Sequence, residues 1–428
     1  MAVQGERLDL IIFGATGFTG KVAVFEIAKL AKEKNVTWGV AGRNQSKLET
    51  VLKEVSEKSG EDVTKVPVII ADVGDEESLL KMAKQAKVIL NCVGPYRFHG
   101  EAVVKSCLTG GAHHVDISGE PQYLERMQLE YNDMASDKGL YVVGACGLDS
   151  IPTDLGIVFM KKQFQGDVNS VEVYVEFGAE DPSKSEGAGL HYTTYESAVY
   201  GLAHANELRP LRTKLYPNRM PSMKPKLEPR SPIHNRDEIG WSIPFMGSDR
   251  SVIIRSQRHF YEVDKERPVQ VHVYMVTKSL LKIMMLVFMG LIFLLLAKFR
   301  FGRSILLKKL KQADCRRRDQ FCPTEKTREN SKYIATLFAE GWKEKASEPD
   351  EQHTTPPNKK VVAKVTCKDP GYGSTSVMLI LSALTILKES DRMPGRGGVY
   401  PPGAAFAKTS LIDEMCKHGI KFEVTSNL

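Results

Sequence analysis

The apolar run Leu8-Asp9-Leu10-Ile11-Ile12-Phe13 passes directly into Gly14-Ala15-Thr16-Gly17-Phe18-Thr19-Gly20. No other stretch constrains the amino-terminal fold as tightly. Three glycines spaced three apart, between a strand-like and a helix-like run, form the kind of turn on which α/β proteins seat a dinucleotide diphosphate. Gly14 permits the tight turn, Gly17 lets the backbone come up to the phosphates, and Gly20 lets the helix pack against the strand. The N–H groups opening such a helix lack intrahelical acceptors and face the negative charge. The helix is readable as well: Val24, Ile27, Ala28 and Ala31 recur at i, i+3, i+4 and i+7, while Glu26, Lys29 and Glu33 lie on other faces. Residues 14–20 are therefore cofactor-binding candidates. Their spacing is GxxGxxG rather than GxGxxG, and a strand-to-helix turn without ligand is the competing reading.

The second strand, residues 36–41, leads into Gly42-Arg43-Asn44, with Ser46 and Lys47 just beyond. An NAD site sets an Asp or Glu there for the ribose hydroxyl. Here no acid is present, and the Arg43 guanidinium suits a 2′-phosphate, which it can grip with two N–H groups. The expected cofactor is NADP, with NAD as the alternative. A third strand over residues 66–71 ends at Asp72, placed to hydrogen-bond the adenine. Asp75 caps the following helix, with Glu76 and Glu77 in its first turn and Leu79, Met82, Ala83 and Ala86 on one face. A fourth strand over residues 88–93 breaks at Gly94-Pro95, setting Cys92, Val93 and Gly94 beside the nicotinamide ribose. Residues 114–117 and 141–144 read as strands five and six. Such alternation predicts an α/β Rossmann fold, a doubly wound parallel sheet that binds ligands at the carboxyl ends of its strands. Residues 91–96, 116–120 and 146–150 form the expected rim.

A chain of 428 residues accommodates two or three domains. The expected division is a Rossmann domain over 1–155, a second α+β domain over 156–370, and a segment over 371–428 that packs back on the first. Seven cysteines without Cys-x-x-Cys and ten histidines without ligand spacing argue against a metal site and suit a reducing compartment. No apolar h-region opens the chain, so no secretory signal is expected. The basic loops lack aromatic interleaving and a known module, which argues against nucleic-acid binding. Residues 168–177 alternate with period two, predicting a half-buried strand of an antiparallel sheet. Over residues 269–276, Val269, Val271, Val273 and Met275 share one face. Residues 207–236 interleave six prolines with basic residues and read as a long exposed loop. Near the end, residues 371–375 lead into an apolar helix over 377–387, and residues 397–403 precede a helix over 404–418 and a strand over 420–424.

Residues 283–297 contain no charged side chain. As a helix they span roughly 22 Å, short of the ~30 Å hydrocarbon core of a bilayer. The flanks are basic on both sides: Lys278 and Lys282 before; Lys298, Arg300, Arg303, Lys308, Lys309, Lys311 and Arg316-Arg317-Arg318 after. A spanning helix shows asymmetric positive charge. Cations at both ends fit a segment, residues 280–299, that dips into one leaflet of a membrane or the monolayer of a lipid droplet. A single span and a fully buried helix are the alternatives.

Taken together, residues 14–20, Gly42-Arg43, Asn91-Cys92-Val93-Gly94-Pro95-Tyr96, Asp116-Ile117-Ser118-Gly119-Glu120, Gly147-Leu148-Asp149-Ser150-Ile151-Pro152-Thr153-Asp154 and Pro402-Gly403-Ala404-Ala405-Phe406 resemble the saccharopine dehydrogenase-like oxidoreductases, a family related to the trans-acting enoyl reductases. The resemblance implies a Rossmann domain, a second α+β domain, a nicotinamide cofactor, and lipid-droplet or membrane association. Ser150-Ile151-Pro152 departs from the continuation found in true saccharopine reductases, and no arginine cluster awaits an amino-dicarboxylate, so that activity is not expected. Hydride transfer needs at most one proton donor beside the cofactor, and Tyr96 and Asp149 are the candidates at the rim. Asp149 and Ser118 as helix caps, and Cys146 as a small packed residue, are the competing readings. The expected function is an NADP-dependent oxidoreductase acting on a hydrophobic or acyl, lipid-linked substrate at the cytoplasmic face of a lipid droplet or membrane, endoplasmic reticulum and mitochondrion included. The alternative is a catalytically weak scaffold anchored at the same surface. Self-association into a homo-oligomer is left open.

Overall fold

In the computed structural model, which describes residues 7–181, 183, 192–314 and 323–427, the amino-terminal region alternates strand and helix as expected. The order is β1 (Leu8–Phe13), α1 (Phe18–Lys34), β2 (Trp38–Gly42), α2 (Gln45–Ser59), β3 (Val68–Ile70), α3 (Glu76–Lys84), β4 (Ala86–Asn91), α4 (Tyr96–Gly110), β5 (His113–Asp116), α5 (Pro121–Asp137) and β6 (Tyr141–Val143). Local chemistry sets several boundaries. The Asp75 carboxylate accepts from Glu77 N and Ser78 N and starts α3. Ala86, expected on the face of that helix, instead opens β4. Asn35, in the left-handed region at φ 51°, closes α1.

The chain continues with α6 (Ile151–Phe164), β7 (Asp167–Ala179), α7 (Tyr192–Ala203), α8 (Leu208–Leu215), β8 (His234–Arg236), β9 (Gly240–Pro244), α9 (Asp249–Glu262), β10 (Gln270–Thr277), α10 (Leu280–Lys298), α11 (Arg300–Asp314), α12 (Glu325–Asn330), β11 (Ser331–Trp342) and β12 (Lys359–Lys368). It ends with α13 (Thr375–Glu389), β13 (Gly398–Tyr400), α14 (Pro402–Phe406), α15 (Leu411–Lys417) and β14 (Lys421–Asn427). The expected helix over 404–418 is thus two short helices, and a seventh strand precedes them.

Two compact units result. The first runs to Leu148 and adds residues 371–400 and 408–418; the second comprises 149–370, 401–407 and 419–428. The first boundary therefore falls at Leu148/Asp149 rather than at 155/156, and the terminal segment is shared between the units instead of returning wholly to the first. In the first unit the strand order is β13-β6-β5-β4-β1-β2-β3, every pairing parallel. α13 packs beside α1 and against β4 and β5.

The second unit is built on a mixed sheet, β14-β12-β11-β7-β10-β9-β8. The expected antiparallel partner of β7 is present in β11, but β10 runs parallel to it. α6 lies on one face, so close that a Cβ on Gly156 would stand 3.1 Å from Leu337. On the other face the Tyr174 and Tyr274 rings stack at 5.2 Å. There the Glu172 carboxylate accepts from Arg230 Nη2 at 2.7 Å and Arg236 Nη1 at 2.8 Å. These contacts correct the expectation of an exposed loop over 207–236. It contains α8 and β8, and Asn169 Nδ2 and Gln270 Nε2 each donate to Pro225 O at 2.9 Å.

Two helices in the described chain are long and apolar enough to cross a membrane, and they have opposite fates. In the most apolar 18-residue stretch of Pro370–Arg392, 78% of the residues are buried, against 11% in that of Leu280–Lys298. α10 touches its own unit along one stripe: Ile283 and Ala297 are buried, and Val287, Gly290 and Phe293 half-buried. Phe293 meets Tyr195 of α7 edge-on at 5.5 Å. Its opposite side exposes Leu281, Met284, Phe288, Leu291 and Leu295. A fully buried helix is therefore excluded. The corner into α11 is built: a Cβ on Gly302 would stand 2.2 Å from Leu296 O, and Arg303 Nη1 donates to Ala297 O at 2.9 Å. Of the basic flank, Arg316, Arg317 and Arg318 lie outside the described residues, as do the side chains of Lys308, Lys309 and Lys311.

Candidate functional site

The three-glycine turn lies at the carboxyl end of β1, between β4 and β2. Gly14 adopts φ 86°, and a Cβ there would stand 2.7 Å from the Val93 side chain. Only glycine suits both the dihedral and the space. Gly17 N donates to Gly14 O at 2.9 Å, which closes the turn. A Cβ on Gly20 would be 2.1 Å from Gly14 O, so α1 rises against the turn at backbone contact. Gly17 is exposed; Gly14, Thr16, Phe18 and Thr19 are half-buried; Ala15 is buried. No side chain caps α1, and a helix start of this kind presents N–H groups to an anion.

At the end of β2, Arg43 is exposed and forms no ion pair among the described residues. Asn44 caps α2 by accepting from Lys47 N at 3.0 Å. No carboxylate follows the strand to hold a ribose hydroxyl, so this end of the cradle fits a phosphorylated ribose. Asp72, after β3, is half-buried and accepts from Gly74 N at 2.9 Å. Cys92, Val93 and Gly94, after β4, are all half-buried. Cys92 N donates to Phe13 O at 2.9 Å, and Val93 N to Asn91 Oδ1 at 3.0 Å, which holds this rim against the glycine turn.

Tyr96 follows on the same rim, but its side chain is buried. The phenol donates to Asn91 O at 2.8 Å, and burial, with the Asp116 charge adding, pushes it well above its ordinary pKa. The Glu120 carboxylate accepts from Tyr96 N at 2.9 Å and Arg97 N at 3.0 Å, which starts α4. Asp116 is enclosed: it accepts from Tyr123 at 2.9 Å, Ser118 N at 2.9 Å and Ala145 N at 3.1 Å. Cys146 is a buried thiol that donates to Val143 O at 3.3 Å. These groups join the carboxyl ends of β4, β5 and β6 into one internal network.

Asp149 belongs to the second unit, and its residue surface is exposed. It caps no helix; its carbonyl accepts from Ser248 Oγ at 2.6 Å. It neighbours a group that sequence reading missed. Asp249 is buried, with Oδ1 accepting from Thr153 Oγ1 at 2.7 Å, and Oδ2 has no partner among the described residues. Burial pushes its carboxyl up to about 7, and the Asp149 and Asp154 charges add to that. Asp154 is pushed up to about 6 by burial, although Ser256 and Gly403 N–H both donate to it. Thr153 and Asp249 lie 96 residues apart, and no local pattern in the chain joins them.

Residues 10–143 match the profile described as the saccharopine dehydrogenase NADP binding domain. A human protein described as a saccharopine dehydrogenase-like oxidoreductase is 40% identical, covering 100% of this chain and 99% of its own length. A Caenorhabditis elegans relative described as a lipid droplet localized protein is 37% identical, covering 98% of this chain and 99% of its own. Among solved structures, the Saccharomyces cerevisiae saccharopine dehydrogenase (L-Glu forming) in its apo form matches with a TM-score of 0.55, covering 98% of this chain and 100% of that one. At 15% identity that likeness speaks for the fold alone.

Proposed function

The chain belongs to the saccharopine dehydrogenase-like oxidoreductases and carries their NADP-binding domain, and from this we propose that it reduces or oxidises a hydrophobic, lipid-linked substrate met at a lipid surface. The observation that carries the proposal is α10. A helix with no charge between Lys282 and Lys298 exposes most of its circumference, which water does not favour. Basic residues at both ends suit anionic headgroups on a single face, so the helix lies in one leaflet or monolayer instead of crossing. A relative described as localized to lipid droplets supports the same surface.

The bound coenzyme supplies hydride chemistry. The chain's own contribution is to hold its diphosphate on the α1 terminus, grip the 2′-phosphate with Arg43, and position a proton. Of the two donor candidates, the Asp149 carboxyl is held above its usual range by burial, whereas the Tyr96 hydroxyl is committed to the Asn91 carbonyl. The internal satisfaction of Tyr96 and Asp116 favours a second reading, a coenzyme-binding scaffold at the same surface.

The test is NADPH oxidation with long-chain enoyl and aldehyde probes embedded in phosphatidylcholine vesicles, against water-soluble short-chain analogues. Turnover confined to the embedded probes, and reduced by Asp149→Asn, supports the oxidoreductase reading. NADPH binding without turnover of any probe supports the scaffold.

A further inference from the structure

The helix that returns to the first unit opens irregularly. Residues Pro370–Ser374 form one π-helical turn that runs on into α13. Such wide turns recur at functional sites. A proline at the opening position loses no hydrogen bond there.

α13 carries buried hydroxyls at Ser376, Ser382 and Thr385. Ser382 donates to Met378 O at 2.7 Å and Thr385 to Leu381 O at 2.9 Å, each four residues back. The corresponding acceptor for Ser376 would be Tyr372 O, which lies inside the π turn. The Ser376 hydroxyl has no partner among the described residues, although the residue is fully enclosed. A buried hydroxyl left unpaired costs about 1–3 kcal/mol. Such a group in a native fold calls for a reason.

Its position supplies one. The Tyr372 ring meets Phe18 edge-on at 4.6 Å, and Phe18 is the first residue of α1, beside the glycine turn. Thr375 Oγ1 accepts from Leu148 N at 3.1 Å, and a Cβ on Gly147 would stand 3.0 Å from the Thr375 methyl. The opening of α13 therefore lies at the carboxyl edge of the parallel sheet, next to the terminus that receives the diphosphate. Helical side chains lean toward the amino end of their own helix, so Ser376 covers the turn formed by residues 371–374. Gly371 is exposed with open space where a Cβ would be, and Gly373 and Ser374 are half-buried.

We propose that residues 371–376 form a second anion-binding helix terminus for the same coenzyme, which takes an oxygen of the dinucleotide diphosphate on backbone N–H groups and the Ser376 hydroxyl. The inference rests on the coenzyme reading given above. Two parallel helix termini side by side double the positive end presented to the diphosphate. The 2′-phosphate is not the ligand here: Arg43 follows β2, whereas α13 packs against β4 and β5, on the far side of β1.

Calorimetric titration of the full chain with NADPH, 2′-phospho-ADP-ribose and adenosine 2′-phosphate, which lacks any part of the diphosphate, tests this. Ser376→Ala should weaken NADPH and 2′-phospho-ADP-ribose by about tenfold, the scale of one hydrogen bond to a charged group. It should leave adenosine 2′-phosphate unchanged and raise the Tm of the ligand-free chain. Gly371→Asp, which adds a carboxylate in open space, should weaken the first two ligands further without lowering that Tm. If both variants bind NADPH like the parent, or if Ser376→Ala lowers the Tm and weakens all three ligands alike, the second terminus is refuted while the coenzyme reading stands. If the parent chain binds no NADPH, both fall together.

Discussion

Replacing Phe288, Leu291 and Leu295 together with glutamate should abolish attachment to lipid without disturbing the fold. The three side chains lie at i, i+3 and i+7 on the face of α10 opposite its contact stripe, and they are 63%, 61% and 61% exposed. Fully burying such a side chain in an apolar medium is worth about 1.5–3 kcal/mol. About six-tenths of about 2 kcal/mol, taken three times, comes to about 4 kcal/mol. At about 1.4 kcal/mol per decade, that is roughly a thousandfold in partition coefficient before any cost of bringing the carboxylates to the lipid. Flotation with phosphatidylcholine vesicles, with and without phosphatidylserine, reads this directly. The parent should float, more strongly with the anionic lipid and less at high salt, and the triple variant should stay at the bottom with an unchanged Tm. A triple variant that floats like the parent refutes the reasoning, and so does a parent that never floats.

Arg43→Glu should weaken NADPH by about ten- to hundredfold and leave NADH unchanged, since only the former carries the phosphate that a guanidinium grips; parallel titrations decide. Gly20→Ala places a Cβ 2.1 Å from Gly14 O, so α1 must move. A fall in stability of about 1–3 kcal/mol and loss of NADPH binding are expected, read by urea unfolding and calorimetry. For Asp249 the folded chain holds a proton up to about pH 7 that the unfolded chain releases near 3.8. Its contribution therefore favours folding below the unfolded value and is lost as pH rises through the folded one. Asp249→Asn should flatten stability across that window by up to about 4 kcal/mol, measured as urea unfolding between about pH 4 and about pH 8. An unchanged slope counts against the buried acid.

The first unit was legible because its signals are local. Periodicity, the Asp75 cap and the spacing of Gly14, Gly17 and Gly20 act over a few residues, and in a parallel sheet with short crossovers each element packs near its sequence neighbours. The place of Arg43 directly after β2 was readable for the same reason. The membrane-apolar character of residues 283–297 was equally plain, but not its fate. The helical run Pro370–Arg392, which contains α13, is also long and apolar enough to cross a membrane, and only the packing of α13 against α1, β4 and β5 makes one helix core and leaves the other exposed. Tertiary structure alone also brought Thr153 to Asp249, gave Tyr96 a carbonyl partner inside the rim, and set the turn before α13 beside Phe18. The Thr153–Asp249 and Phe18–Tyr372 pairings join residues far apart in the chain, and no short-range pattern encodes which distant partner a buried polar group will meet. Tyr96 and Asn91 are only five apart, but a strand end, a Gly-Pro step and a helix start lie between them. The local chemistry of the chain determined the glycine turn at the carboxyl end of β1 and the uncapped start of α1. Which polar groups surround them was decided by how remote segments fill the space that burial of apolar surface closes off.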